Sequence, residues 1–222
     1  MVEMLTIIAL ICVIASILLP ALSAGVSQAK LSSCANNLRN IAIGTIAYAS
    51  HNQGMIPDIM PGMNERSIPI LRLPNGKFLA LGKLLNDYML SIGVFGCPDS
   101  PGMDGIALES KFRTTAMLWS AYLYRCQSNG FNPVLSAPEN YYKAWLIDFA
   151  CITPGGEQFA PHNYLVINML FNDGHVESQR NSREPFKHYT AYAANHGEAI
   201  PDCSQIWANA DKAFTAASVM QQ

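Results

Sequence analysis

Glu3 to Leu22 reads E-M-L-T-I-I-A-L-I-C-V-I-A-S-I-L-L-P-A-L. Of the 19 residues from Met4 to Leu22, 11 are Leu, Ile or Val, and the 26 residues from Met4 to Ala29 carry no charged side chain. An apolar helix of about 20 residues crosses a hydrocarbon core of about 30 Å. Each Leu, Ile or Val at mid-membrane favours insertion by about 0.3 to 0.6 kcal/mol, so residues 1–26 are expected to form one transmembrane helix. Glu3 stands at its edge, where the carboxylate stays wet. Pro20 falls near the far end, where a lost hydrogen bond costs less and a bend is tolerated. A cleaved secretory signal and a buried core helix are the competing readings. The run is longer than the about 7 to 15 residues of a signal core and follows an acidic rather than a basic flank. It also lacks the polar stripe with which a surface helix meets water.

Working outward, the pattern becomes amphipathic. Leu31, Cys34, Leu38, Ile41, Thr45 and Tyr48 recur at helical spacing, while Lys30, Ser33, Asn36, Asn37, Arg39 and Asn40 occupy the other face. Residues 27–52 are therefore expected to continue the helix outside the bilayer and lay one side on a globular domain, residues 53–222. His51-Asn52-Gln53-Gly54 supplies the stop. A continuous helix from Val2 to Ser50 would extend for about 70 Å; two helices broken near Ser23 to Gly25 fit the same residues.

The whole chain has 222 residues, enough for one domain with an appendage. Its 14 Lys and Arg against 16 Asp and Glu leave a net charge of -2, which gives no electrostatic basis for nucleic acid as a partner. Only 14% of residues are charged, against about 25% in an ordinary soluble domain, and the deficit is concentrated in the first 29 residues.

Three islands carry a resemblance. Glu3 to Leu22, with its Glu, 16 mostly apolar residues and Pro-Ala-Leu, resembles the N-terminal helix of type IV pilin-like proteins and pseudopilins. Ser33 to Pro57, S-C-A-N-N-L-R-N-I-A-I-G-T-I-A-Y-A-S-H-N-Q-G-M-I-P, is similar to a narrower group, the prepilin-like proteins of planctomycetes, verrucomicrobia and lentisphaerae, which have a His-x9-Asp-Gly motif. Phe95 to Ser100 (F-G-C-P-D-S) and Leu170 to Val176 (L-F-N-D-G-H-V) resemble two later islands of that group, in the expected order. The resemblance implies an α+β pilin-like fold, a long N-terminal helix packed on an antiparallel sheet.

It also implies a function: a non-enzymatic, single-pass inner-membrane subunit with an extracytoplasmic domain, belonging to a type IV pilus or type II secretion system. The implied partners are membrane lipid, copies of itself or other pilin-like subunits, and assembly machinery. Glu3 takes the assembly role of pairing with a neighbour's terminal amine, and Pro20 that of the helix bend. Two departures stand out. The motif here, His162 to Asp173-Gly174, is His-x10-Asp-Gly. Only Met1 and Val2 precede Glu3, so the chain is expected to start inside the mature sequence, a basic leader having been lost upstream. A relic that the prepilin peptidase cannot process is the other reading. Without that leader, Lys30 and Arg39 beyond the span place the domain in the cytoplasm by the positive-inside rule; a basic leader reverses the count.

In the globular part, Gly54 to Lys77 holds four prolines and three glycines and reads as a long loop. Phe78 to Met89 reads as a short helix, and Ala116 to Tyr124 and Tyr142 to Ile152 as buried strands or short helices. A hairpin is expected near 164–179, with Asp173-Gly174 as a two-residue type I′ turn, Phe171 facing Val176 and Asn168 facing Gln179. His162, Asp173 and His175 are all metal-ligand types. An extended strand puts about 30 Å between His162 and Asp173, so no metal site is expected from them. No P-loop, Gly-x-Ser-x-Gly or His-Glu-x-x-His pattern points to catalysis, and no cofactor is expected.

Cys12 lies in the span. Five cysteines remain, Cys34, Cys97, Cys126, Cys151 and Cys203, so at least one stays free or pairs between chains unless a metal intervenes. Because both lie in the resembling islands, Cys34 with Cys97 is the preferred bridge, beside the reading that all stay reduced. The rival function is a membrane-anchored extracytoplasmic enzyme or ligand-binding domain.

Overall fold

The computed structural model describes residues 2–58, 68–88, 91–114, 117–125, 132–148, 151–152, 158–159, 161–181 and 204–219. Its first element, α1, is a single unbroken helix Val2–His51 that passes through Pro20. Fifty residues at about 1.5 Å each make it about 75 Å long. The break near Ser23 to Gly25 does not occur. At the C-terminal end, Gln53 and Gly54 both take left-handed φ, and Gly54 N–H closes on Ala49 O, which terminates the helix.

Five antiparallel strands follow in the order β1-β2-β3-β6-β7: β1 Ile68–Arg72, β2 Leu118–Tyr124, β3 Ala144–Asp148, β6 Val166–Phe171 and β7 Val176–Arg180. A separate two-stranded pair joins β4 Cys151–Ile152 to β5 Gln158–Phe159. The long N-terminal helix and the antiparallel sheet make the fold α+β.

The two faces of the sheet bury different sets. Leu38, Ile41 and Ala42 of α1 pack with Tyr122, Tyr124, Leu146 and Leu170. Ala121, Leu123, Ile147, Ile167 and Met169 meet Ile206, Trp207, Ala210 and Ala213 of the C-terminal helix, Ser204–Val219. A partly buried ion pair ties this helix down: Arg125 Nη1 reaches Asp211 Oδ1 at 3.0 Å, and its guanidinium lies 5.2 Å from the centre of the Trp207 ring. Asp211 Oδ1 also accepts from Ala144 N–H.

Three local readings change. The expected loop Gly54–Lys77 contains β1, I-P-I-L-R, whose Pro69 hides the strand pattern. Proline cannot donate to a ladder, and β1 is accordingly an edge strand, with irregular register on either side of Ile70. The expected helix Phe78–Met89 is shorter: a 3-10 turn Ala80–Lys83 runs into α2, Leu84–Asp87. Phe78 and Leu79 are held extended along β1, with Leu79 N–H bonded to Leu71 O.

The hairpin is present with its register moved by one residue. Leu170 faces Val176, Asn168 faces Ser178, and Ile167 faces Gln179. Gly174 N–H bonds Phe171 O, and Phe171 N–H bonds His175 O, leaving a three-residue loop of Asn172, Asp173 and Gly174. Gly174 has φ 87 while Asp173 is not left-handed. A type I′ turn needs both; the observed loop is a type I turn closed by a glycine bulge. A slip of one residue decides which side chains share a face, and here it sets Asn168 beside Ser178.

Candidate functional site

Two regions offer function. One is the stem, residues 2–26 of α1. Ile7, Ile8, Leu10, Ile11, Val13 and Ile14 are 49–61% exposed, so the apolar surface runs all round the helix instead of forming a stripe. The hydroxyls of Thr6, Ser16 and Ser23 donate to the carbonyls three residues back, which removes free donors from that surface. By length and composition this helix can cross a membrane once, with mean hydropathy 2.8 over its most apolar window. Glu3 stands in its first turn and is exposed; among the described residues its carboxylate has no ion-pair partner. Pro20 lies inside the helix, its missing N–H leaving Ser16 O without the usual bond.

The other region is a buried polar nest where α1 meets the sheet. Cys34 of α1 and Cys97 form a disulfide with Cα atoms 5.3 Å apart, and both residues are fully buried. The loop carrying Cys97 is shaped by Gly96: a Cβ there would stand 2.7 Å from the backbone of Asp104 and Gly105. Gly96 O accepts from Asn37 Nδ2 of α1 and from Tyr122 O–H of β2, joining helix, loop and sheet at one atom.

His162 enters this nest from the 3-10 turn Pro161–Tyr164, with φ 54, a left-handed backbone uncommon for a non-glycine residue. Its Nδ1 is 3.3 Å from Asp99 Oδ2, and Asp99 Oδ1 accepts from Lys30 Nζ at 2.9 Å. Around its Nε2 stand Asn168 Nδ2 at 3.4 Å, Asp148 Oδ2 at 3.5 Å and Cys97 Sγ at 3.6 Å. Ser178 Oγ donates to Asn168 Oδ1, which turns the amide N–H toward the ring. That network assigns the ring proton to Nδ1, facing Asp99, and leaves Nε2 with a lone pair.

Asp148 ends β3. Its Oδ2 accepts from Asn168 N–H at 2.7 Å, and its Oδ1 has no partner among the described residues. Burial raises its pKa to about 7, against the lowering effect of the Asn168 hydrogen bonds. Burial lowers His162 below the ordinary histidine value; Asp99 opposes the shift and Lys30 adds to it. The 3.5 Å contact between His162 and Asp148 is thus driven toward a neutral pair. Tyr122, also buried, is raised well above the usual phenol range by burial and then by Asp148.

The structure brings Cys34, Cys97 and His162 together, but not Asp173 and Gly174, which sit at the hairpin tip beyond the other end of β6. There Asp173 Oδ1 pairs with His175 Nδ1, and the His175 ring stacks on Phe171 at 4.5 Å. Sequence reasoning missed Lys30, Asp99, Asp148 and Asn168. Asp148 had a signal: it is the lone charge in the apolar run Ala144–Ala150. Asp99 lies two residues after Cys97 within the quoted island.

No protein-family model, curated protein or solved structure matches the chain.

Proposed function

We propose that this chain is a non-enzymatic, membrane-anchored, pilin-like subunit of a type IV pilus-like or type II secretion-like assembly. The observation that carries the reading is the division of α1. One unbroken helix leaves its first half apolar and uncovered and buries one side of its second half against an antiparallel sheet. In a bilayer the stem is solvated by acyl chains; in an assembly the same surface bundles with stems of neighbouring copies. Ile43 and Ile46, 66% and 53% exposed, extend the apolar surface onto the outer side of the docked half, which supports packing between copies there. The disulfide favours an extracytoplasmic domain and inner-membrane anchoring, because such bonds persist in oxidising compartments.

Glu3 is the assembly residue in this reading. An unpaired carboxylate inside a bundle of stems is costly, so it selects a partner amine on a neighbour. The test is Glu3→Ala in the native host. Expected is unchanged membrane content with loss of sedimentable filaments; filaments at normal yield overturn the role of Glu3. A full-length chain that remains monomeric in water without detergent overturns the reading altogether.

A further inference from the structure

We propose that Cys34, Cys97, His162 and Asp148 form a tetrahedral Zn2+ site when the Cys34–Cys97 disulfide is reduced. The two sulfurs and a ring nitrogen of His162 lie within 4.8 Å of one another. Zinc bonds of about 2.0 to 2.3 Å place ligand atoms of a tetrahedron about 3.3 to 3.8 Å apart. His162 Nε2 stands 3.6 Å from Cys97 Sγ and 3.5 Å from Asp148 Oδ2, which are edge lengths of such a tetrahedron. Breaking the S–S bond frees the two sulfurs to separate to the edge between them.

The surroundings fit a metal better than they fit packing. Asp148 Oδ1 is a buried carboxylate oxygen with no hydrogen-bond partner among the described residues, on the side chain whose Oδ2 stands 3.5 Å from His162 Nε2. His162 presents an unprotonated Nε2 to the centre while Nδ1 faces Asp99, the carboxylate–histidine–metal relay that orients a zinc-bound imidazole. Lys30 in turn holds Asp99. The left-handed backbone of His162 is strain retained at the one residue that must aim its ring there. Two sulfurs, one imidazole and one carboxylate form a donor set suited to zinc.

The chemistry balances with a dithiol as reductant. It gives two electrons and two protons to the Cys34–Cys97 bond, which becomes two thiols, and departs as its own disulfide. Zn2+ then displaces the two thiol protons. Oxidation by a small disulfide reverses the exchange and releases the metal. The site is independent of any role of the stem in assembly.

The test uses the full chain in detergent, reduced with dithiothreitol, desalted without oxygen and titrated with Co2+ as a spectroscopic probe. Expected are tetrahedral cobalt bands with thiolate charge transfer, saturating at one Co2+ per chain and bleached by Zn2+. The unreduced chain takes up none. Cys34→Ser loses the charge-transfer band although Cys12, Cys126, Cys151 and Cys203 remain. Asp99→Asn keeps every ligand and weakens binding by about 10- to 100-fold. A reduced chain with native near-ultraviolet circular dichroism and no thiolate band overturns the proposal, as does a band that survives Cys34→Ser. If reduction alone abolishes the dichroism, recovery on adding Co2+ supports the site and failure to recover overturns it.

Discussion

Residues 2–26 and 34–49 of α1 share one backbone hydrogen-bond pattern and differ in what surrounds them. In the first segment every large apolar side chain is exposed, from Val26 at 47% to Val2 at 74%. In the second, Cys34, Leu38 and Ile41 are fully buried, while Asn36, Arg39 and Asn40 face out. The helix owes its stability in the two places to different things. Intrahelical hydrogen bonding suffices in an apolar solvent, where no water competes. In water the docked half depends on tertiary contact. Changes in one segment should therefore register as membrane partition and in the other as unfolding free energy.

The largest test removes the covalent tie. The disulfide closes a loop with a sequence separation of 63, worth about 4 kcal/mol in the chain-entropy account. Urea unfolding of the detergent-solubilised Cys34→Ser, Cys97→Ser double variant without added metal should show a loss of that order; a loss below about 1 kcal/mol breaks the claim that the docked half needs fastening. Next, Leu38→Ala should destabilise the domain by about 2 to 5 kcal/mol, with Leu10→Ala within about 0.5 kcal/mol of the parent. Equal effects from these two would erase the distinction between the segments. Ile11→Arg reverses the readout: it should cost about 3 kcal/mol of insertion, about 100-fold in partition between membrane and soluble fractions, and leave the urea midpoint unchanged.

The smallest net effect is with pH, through the nest that joins the docked half to the sheet. Asp148 is raised to about 7, so its contribution favours the fold most below the ordinary carboxylate range and is lost as pH climbs through about 4 to 7. His162 is lowered, so it opposes folding in acid and that penalty disappears as pH rises toward its ordinary value of about 6.5. The two slopes oppose one another, and the parent should show a shallow profile across pH 4 to 6.5. Asp148→Asn removes one slope, so its stability should rise with pH over that interval. A parallel pair of profiles, measured by urea melts at several pH values, would refute the assignment of either group.

Much of α1 was readable from residue order because both its signals are local: a charge-free apolar run, then apolar residues at three- and four-residue spacing. The hairpin was readable for the same reason, since Asp173-Gly174 interrupts a run of β-formers. Its register was not, because Asp-Gly fits both a two-residue and a three-residue loop, and the choice depends on cross-strand packing of Leu170 on Val176. β1 was missed because Pro69 suppresses strand propensity, and only its place at the sheet edge makes proline acceptable.

For the candidate site the division is sharper. Residue types and spacing were enough to mark Glu3 to Leu22 as a stem, Leu31 to Tyr48 as a face to be covered, and Cys34 and Cys97 as a preferred pair by resemblance. They were not enough to place His162 between Asp99 and Asp148, beside a sulfur 65 positions earlier in the chain. Periodicity and turn chemistry act between neighbours along the chain. A nest of groups drawn from a helix, two loops and the sheet comes together only when long-range packing closes, and packing also sets the protonation of Asp148 and His162 by excluding water from both.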